Sequence, residues 1–325
     1  MGHDPSQQSL TGWVFSETFL EHNAGISHPE CPERLAAICE QLSAAGHLTQ
    51  MRPVAFDAAP DNEITRVHSP AYMQQLDAAE GQHWDADTFI GQGSPRIARL
   101  AAGGVLTAAC QVWDGKLVNA FCAVRPPGHH ALADAAMGFC LFNNVAVAVA
   151  HILSVKPDAK ILIVDWDVHH GNGTQAIFYD SASVMYASLH QYPFYPGTGG
   201  LRETGRGPGE GFTVNKPLPA GAGDAEFLEA LNAVLDGPAR QFAPEIVFVS
   251  AGFDAHAYDP LANLEVTTAG FASATERVCA FARDMCSNKV VSVLEGGYHL
   301  AALGKSVAAH VGELITAGQS VRTGE

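Results

Sequence analysis

Positive charge is scarce in this chain. Of its 325 residues 18 are Lys or Arg against 34 Asp or Glu, a formal net charge of −16. No basic stripe or Lys/Arg cluster interrupts that balance, so the electrostatic footprint of a nucleic-acid binder is missing. The acidic excess serves solubility and would steer cationic substrates. CxxC pairs are also missing. The seven cysteines, Cys31, Cys39, Cys110, Cys122, Cys140, Cys279 and Cys286, are odd in number and scattered, mostly among apolar neighbours. They read as free thiols of a reducing compartment, neither bridges nor metal ligands. The longest apolar run, Val145 to Val155, is broken by His151 and too short to cross a bilayer. The opening MGHDPSQQSL has neither a basic region nor an apolar run, so no secretory signal is expected. A loose myristoylation pattern at Gly2 and Ser6 reads as chance. A cytoplasmic protein with no membrane partner is the expectation. Repeats and linkers are absent too, so one domain is expected over residues 1–325, with residues 1–12 flexible.

What is present is an alternation of short apolar runs with helical patterns. Strands are expected at 13–15, 64–67, 120–124, from Ile161, at 184–189, 245–250 and 290–294. Helices are expected to open at Pro32, Ser69-Pro70, Pro95, Asn143, Thr174, Gly223-Asp224, Thr267 and Ala301. Polar loops are expected at 17–32, 81–94 and 191–211. The pattern predicts an α/β fold: a single domain with an open, mostly parallel sheet and helices on both faces. In such folds ligands bind at the carboxyl ends of the strands.

The chain is organised around ILIVDWDVHHGNGT, Ile161 to Thr174. A buried apolar strand runs abruptly into Asp165, Asp167 and His169. Strand side chains alternate, so these three are expected to point the same way, as ligands to a divalent cation would. Gly171 and Gly173 are expected to turn the chain away. Three other strand ends carry unusual chemistry: RPPGHH with His129 and His130, AGFDAH with Asp254, and EGGY with Tyr298. A lone His pair is usually a loop feature, and a lone Asp usually a helix cap. Four such ends on one sheet edge are a constellation.

With HPECPERL, RPPGHH, GFCLFNN, DWDVHHGNGT, SLHQYPFYPGTG, NKPLPAGAGD, SAGFDAH and LEGGY, nearly the whole chain resembles the zinc-dependent histone deacetylase superfamily, on the arginase/deacetylase fold. Asn172 in HHGNGT is similar to the class II and bacterial branch, which includes acetylpolyamine amidohydrolases. The resemblance implies Asp167, His169 and Asp254 as ligands of one catalytic Zn2+. It implies Asp165 orienting His129 and Asn172 holding His130. His130 would be the general base and His129 its electrostatic partner, with Tyr298 the oxyanion donor. The reaction would be amide hydrolysis by a metal-activated water. The resemblance further implies a substrate tunnel lined by Gly138, Phe139 and Tyr195. Relatives often have Phe at the last position, and the extra hydroxyl is expected to reach solvent. Arg34 would lie behind the metal, as an aid to acetate release or as a structural ion pair. Structural K+ is implied near Asp165, Asp167, His169, Ser188 and Leu189, with a second ion near Phe178, Ser181 and Val184.

Two other readings compete with the enzyme. A non-catalytic binding module on the same fold would not need every ligand and Tyr298 intact. Arginase-like chemistry would call for more carboxylates around two manganese ions. Among substrates, the acylated amine is expected to be an acetyl-lysine peptide. An acetylpolyamine is the runner-up, for which Glu17, Glu21, Glu80, Asp85 and Asp87 are candidate rim acids. Oligomeric state is left open, a homo-oligomer included.

Overall fold

Strands that are near-continuous apolar runs have no face to give to water, so both sides must be covered. The computed structural model of the chain, which describes residues 11–323, shows such a sheet. The strands are β1 (Thr11–Val14), β2 (Arg52–Pro53), β3 (Gln82–His83), β4 (Phe89–Ile90), β5 (Asn119–Cys122), β6 (Ile161–Asp165), β7 (Val184–Gln191), β8 (Thr213–Leu218), β9 (Ile246–Ala251) and β10 (Val290–Leu294). Eight of them form one sheet in the order β2-β1-β5-β10-β9-β6-β7-β8, with every neighbouring pair parallel. β3 and β4 make a small separate antiparallel pair. The four central strands β5, β10, β9 and β6 are buried at every residue.

The cover comes from α1 (Glu33–Ala44), α2 (Asp61–Ile64), α3 (Pro70–Ala78), α4 (Ser94–Trp113), α5 (Asn144–Val155), α6 (Asn172–Phe178), α7 (Asp224–Val234), α8 (Arg240–Phe242), α9 (Thr268–Cys286) and α10 (Leu300–Thr323). α10 packs on both α1 and α9, and α4 packs on α5. α5 has the valine-rich composition of a strand. Its helical start is fixed by Asn143, whose side chain accepts the Ala146 N–H at 2.9 Å. Ser69 and Thr267 cap α3 and α9 in the same way. Among the described residues no helix is long and apolar enough to cross a membrane.

The structure corrects several expectations. Of the residues expected as a strand at 64–67, Ile64 ends the helix α2 and the others form the turn after it, because Pro60 and the acids Asp61 and Glu63 start a helical turn there. The loop at 81–94 contains β3 and β4. β8 was not anticipated: its Pro217 disguises it, and Pro is tolerated because β8 lies at the sheet edge. Thr11 and Gly12, expected to be flexible, belong to β1, whereas Gly2, Ser6 and the rest of that segment lie outside the described residues. The seven cysteines are all free.

Candidate active site

β5, β10, β9 and β6 are neighbours, so the four chemically unusual strand ends emerge side by side at one sheet edge. β6 stops at Asp165, and the alternation expected through His169 stops with it. Asp167 and His169 instead meet Asp254 from β9: one donor atom from each of these three lies within 4.8 Å of the other two. His169 Nδ1 is 3.1 Å from Asp167 Oδ1 and 3.2 Å from Asp254 Oδ2. Backbone groups aim the carboxylates. Asp167 accepts the N–H of Gly296 at 2.7 Å and of His169 at 2.9 Å, and Asp254 accepts that of Val168 at 2.9 Å.

Asp254 Oδ2 is buried without a hydrogen-bond partner. Burial and the charge of Asp167 push the Asp254 carboxyl up to about 7. Burial opposes the charge on His169, but its contacts to Asp167 and Asp254 overcome that and hold it up at about 10. Two buried carboxylates with an orphaned oxygen fit a divalent cation. Three N/O ligands would leave coordination positions open.

Asp165 approaches the same His129 ring as Asp167, at the other nitrogen. Its Oδ2 accepts from His129 Nδ1 at 3.1 Å and from the Tyr186 hydroxyl at 2.9 Å. Burial works against the His129 imidazolium, yet Asp165 and Asp167 outweigh it and raise the group to about 10. His130 is its opposite. Burial comes first, then the positive His129 and His169, and together they push it well below its ordinary value. Its Nδ1 is 2.8 Å from Asn172 Oδ1, while Asn172 Nδ2 donates to Met137 Sδ, so the amide oxygen faces the ring and His130 carries its proton on Nδ1. Nε2 of His130 is left as a lone pair. The two rings lie 4.0 Å apart, with an acid against one and a neutral amide against the other.

Gly171 does not have the left-handed backbone expected of a turn glycine. A Cβ there would collide with Asp165 Oδ2 and lie 2.5 Å from the Tyr186 hydroxyl, so close approach requires the glycine.

The histone deacetylase domain profile matches residues 28–314. The chain belongs to the histone deacetylase family. It is 41% identical over 293 residues to a probable deacetylase of Archaeoglobus fulgidus, covering 89% of this chain and 81% of that one. It is 40% identical over 331 residues to histone deacetylase 5 of Arabidopsis thaliana, covering 95% of this chain but spanning half (50%) of that relative's length. The crystal structure of the HDA15 HD domain superposes with a TM-score of 0.88 at 39% identity, over 97% of this chain and 93% of that one.

In this histone deacetylase-family chain Tyr298 stands beside the three candidate ligands. Its ring meets Phe139 edge-on at 5.9 Å, Arg34 lies 4.9 Å from its centroid, and its N–H donates to Asp259 at 2.6 Å. Phe139 and Tyr195 form two walls, with Tyr195 edge-on to His130 at 5.3 Å. Phe139 has φ +70°, held by the Met137–Cys140 bridge and by its N–H donating to Thr88 Oγ1 at 3.3 Å. Gly138 (φ +53°) lets this turn sit against His130, which a Cβ would strike. The Tyr195 hydroxyl is not turned to solvent alone: it engages the Asp87 carboxyl at the mouth. Of the other candidate rim acids, Glu21 is paired with Arg96 and Asp85 accepts the N–H groups of Asp87 and Thr88.

Sequence reasoning missed Glu295, whose Oε2 accepts the N–H of Gly128 at 2.7 Å and of His129 at 3.2 Å, clasping the turn that carries the His pair. It missed Tyr186, Asp259, and Phe194, which stacks on His169 at 5.5 Å. Position beside the EGGY glycines was the one available signal for Glu295.

Arg34 is fully buried. It bonds Glu30 (3.0 Å), Gly297 O (2.7 Å) and Glu295 O, while Arg125 grips the same Glu30 at 2.5 and 2.7 Å. Burial opposes the Glu30 charge, and Arg125 more than restores it. Glu30→Ala would leave two buried guanidinium groups short of a counter-charge. A loss of ~3–5 kcal/mol in urea unfolding is expected, without a change in unfolding slope.

Proposed function

We propose that this chain is a zinc-dependent amidohydrolase that removes acetyl groups from acylated primary amines, acetyl-lysine first among them. One observation carries this reading. An Asp167–His169–Asp254 cluster with an orphaned carboxylate oxygen lies beside a His pair, one ring bonded to Asp165 and the other to Asn172. Bound by those three residues, zinc would supply Lewis-acid polarisation of the acyl carbonyl and activation of a water molecule.

The chain's own groups do the rest. His130 Nε2, unprotonated, accepts the proton of the attacking water and returns it to the leaving amine. His129, kept cationic by Asp165, stabilises the negative charge that develops. The Tyr298 hydroxyl has no protein partner and donates to the oxyanion. Burial and the charges of Asp254 and Asp167 hold its phenol well above the ordinary value, so it remains a donor. Phe139 and Tyr195 accept a slender alkyl chain between them. A structural potassium ion is part of the reading: the register that pairs Asp165 with Ser188 sets the backbone oxygens of β6 and β7 side by side at that edge.

Asn172 makes a testable contribution. Asn172→Asp would put a negative charge against His130 Nδ1 and raise its pKa. A general base works unprotonated, so the acid limb of kcat/KM is expected to move to higher pH while the basic limb stays. An unchanged pH–rate profile would remove His130 from the role of base.

The substrate is tested by comparing kcat/KM on an acetyl-lysine peptide and on acetylputrescine, using the zinc-loaded chain. A preference for the peptide is expected. A large preference for acetylputrescine would reassign the enzyme to polyamines, and release of acetate from neither would leave a binding module.

A further inference from the structure

Among the described residues, one other set of side chains gathers metal donors: His129, Cys140 and Glu295, with one donor atom of each within 4.8 Å of the other two. All three are buried, His129 at 3% exposure and the others at 0%. Sulfur distinguishes this set from Asp167, His169 and Asp254. The Cys140 thiol has only a weak contact, to Gly138 O at 3.3 Å. A second and independent observation comes from Glu295. Its Oε2 is used by two backbone N–H groups, but its Oε1 is fully buried and has no partner. An orphaned buried carboxylate oxygen calls for an explanation, and an ion is one. On His129, Asp165 occupies Nδ1, which leaves Nε2 free to coordinate.

We propose that His129 Nε2, Cys140 Sγ and Glu295 Oε1 form a second site for a thiophilic divalent cation, and that a cation bound there inhibits the enzyme. The donor set suits zinc, cadmium or cobalt and disfavours magnesium or calcium. Binding exchanges the thiol S–H bond and the His129 Nε2–H bond for bonds to the metal and releases both protons to solvent. Asp165, 3.1 Å from His129 Nδ1, and the Glu295 carboxylate itself offset the added charge. The inhibition follows because coordination takes the Nε2 that faces the reacting acyl group. That half of the proposal rests on the role given to His129 above, whereas the binding half does not.

Cobalt separates the two halves. The metal-free full-length chain is titrated with Co2+ while its absorbance and its turnover of an acetyl-lysine peptide are followed. The Asp/His/Asp set holds no sulfur, so the first equivalent should give turnover without a sulfur-to-cobalt charge-transfer band. The second equivalent should bring that near-ultraviolet band together with loss of most turnover. In Cys140→Ala the band and the loss should both disappear, with turnover kept at its one-equivalent level. Cys140→Ser, closer in volume, should do the same if alanine unsettles the fold. Absence of the band in the unaltered protein, or its survival in both variants, would overturn the site. A band with undiminished turnover would overturn the inhibition. Failure of the deacetylase reading itself would show as no turnover at any equivalent, with the band still reporting on the site.

Discussion

Asp167→Ala, made in a Cys140→Ala background that removes the second donor set, is expected to give a folded protein that retains no zinc after dialysis and releases no acetate from an acetylated amine. Asp167 is one of three donors, and it also spaces the other two. Its Oδ1 accepts the His169 N–H and approaches that ring, while its Oδ2 accepts the N–H of Gly296, in the turn after β10. Alanine removes the donor and loosens both partners, so metal affinity falls by more than one ligand's share. Folding should survive, because the substitution also relieves repulsion between two buried carboxylates: with Asp167 gone, the chief neighbouring charge that raises Asp254 is lost. The metal-free forms of the two proteins should therefore differ little in Tm, whereas the zinc-loaded parent should melt higher than either. Zinc content by elemental analysis and acetate release are the readouts. A variant that keeps stoichiometric zinc would show that Asp167 is not a ligand.

The sheet was readable because its central strands are near-continuous apolar runs. The same feature hid β8, whose Pro217 and Lys216 suit an edge, and the two-residue strands, which are too short to show a period. The site's donors were readable as residue types at strand ends, and the family resemblance supplied their partition, which alternation alone does not give. Alternation placed Asp165, Asp167 and His169 on one face. The strand ends at Asp165, and the following bends send Asp165 to His129 and the other two to Asp254. Glu295 and Asp259 act through backbone N–H groups, and no side-chain pattern records such a bond. The Tyr195 hydroxyl was assigned to solvent because its partner Asp87 lies more than a hundred residues earlier, in a loop whose small hairpin was also unseen.

Tyr298→Phe is expected to lower kcat by ~10²–10³ with little change in KM and none in zinc content. The ring is held without its hydroxyl: Phe139 meets one edge, Arg34 covers a face, and Asp259 fixes the backbone through the Tyr298 and His299 N–H groups. Phenylalanine keeps all of these, so the tunnel and the ground-state complex should persist. The lost group is a donor whose value depends on charge that exists only in the transition state, and a deficit confined to kcat is the mark of such an interaction. The environment supports this role and opposes nucleophilic catalysis by the same oxygen. Burial, then the carboxylates of Asp254 and Asp167, disfavour a phenolate, and the nearby Arg34 does not reverse them. The variant should thus lose rate evenly across the neutral range, with no new pH limb. A pH-dependent loss would make Tyr298 a titrating acid, and full retention of kcat would exclude it from the oxyanion site.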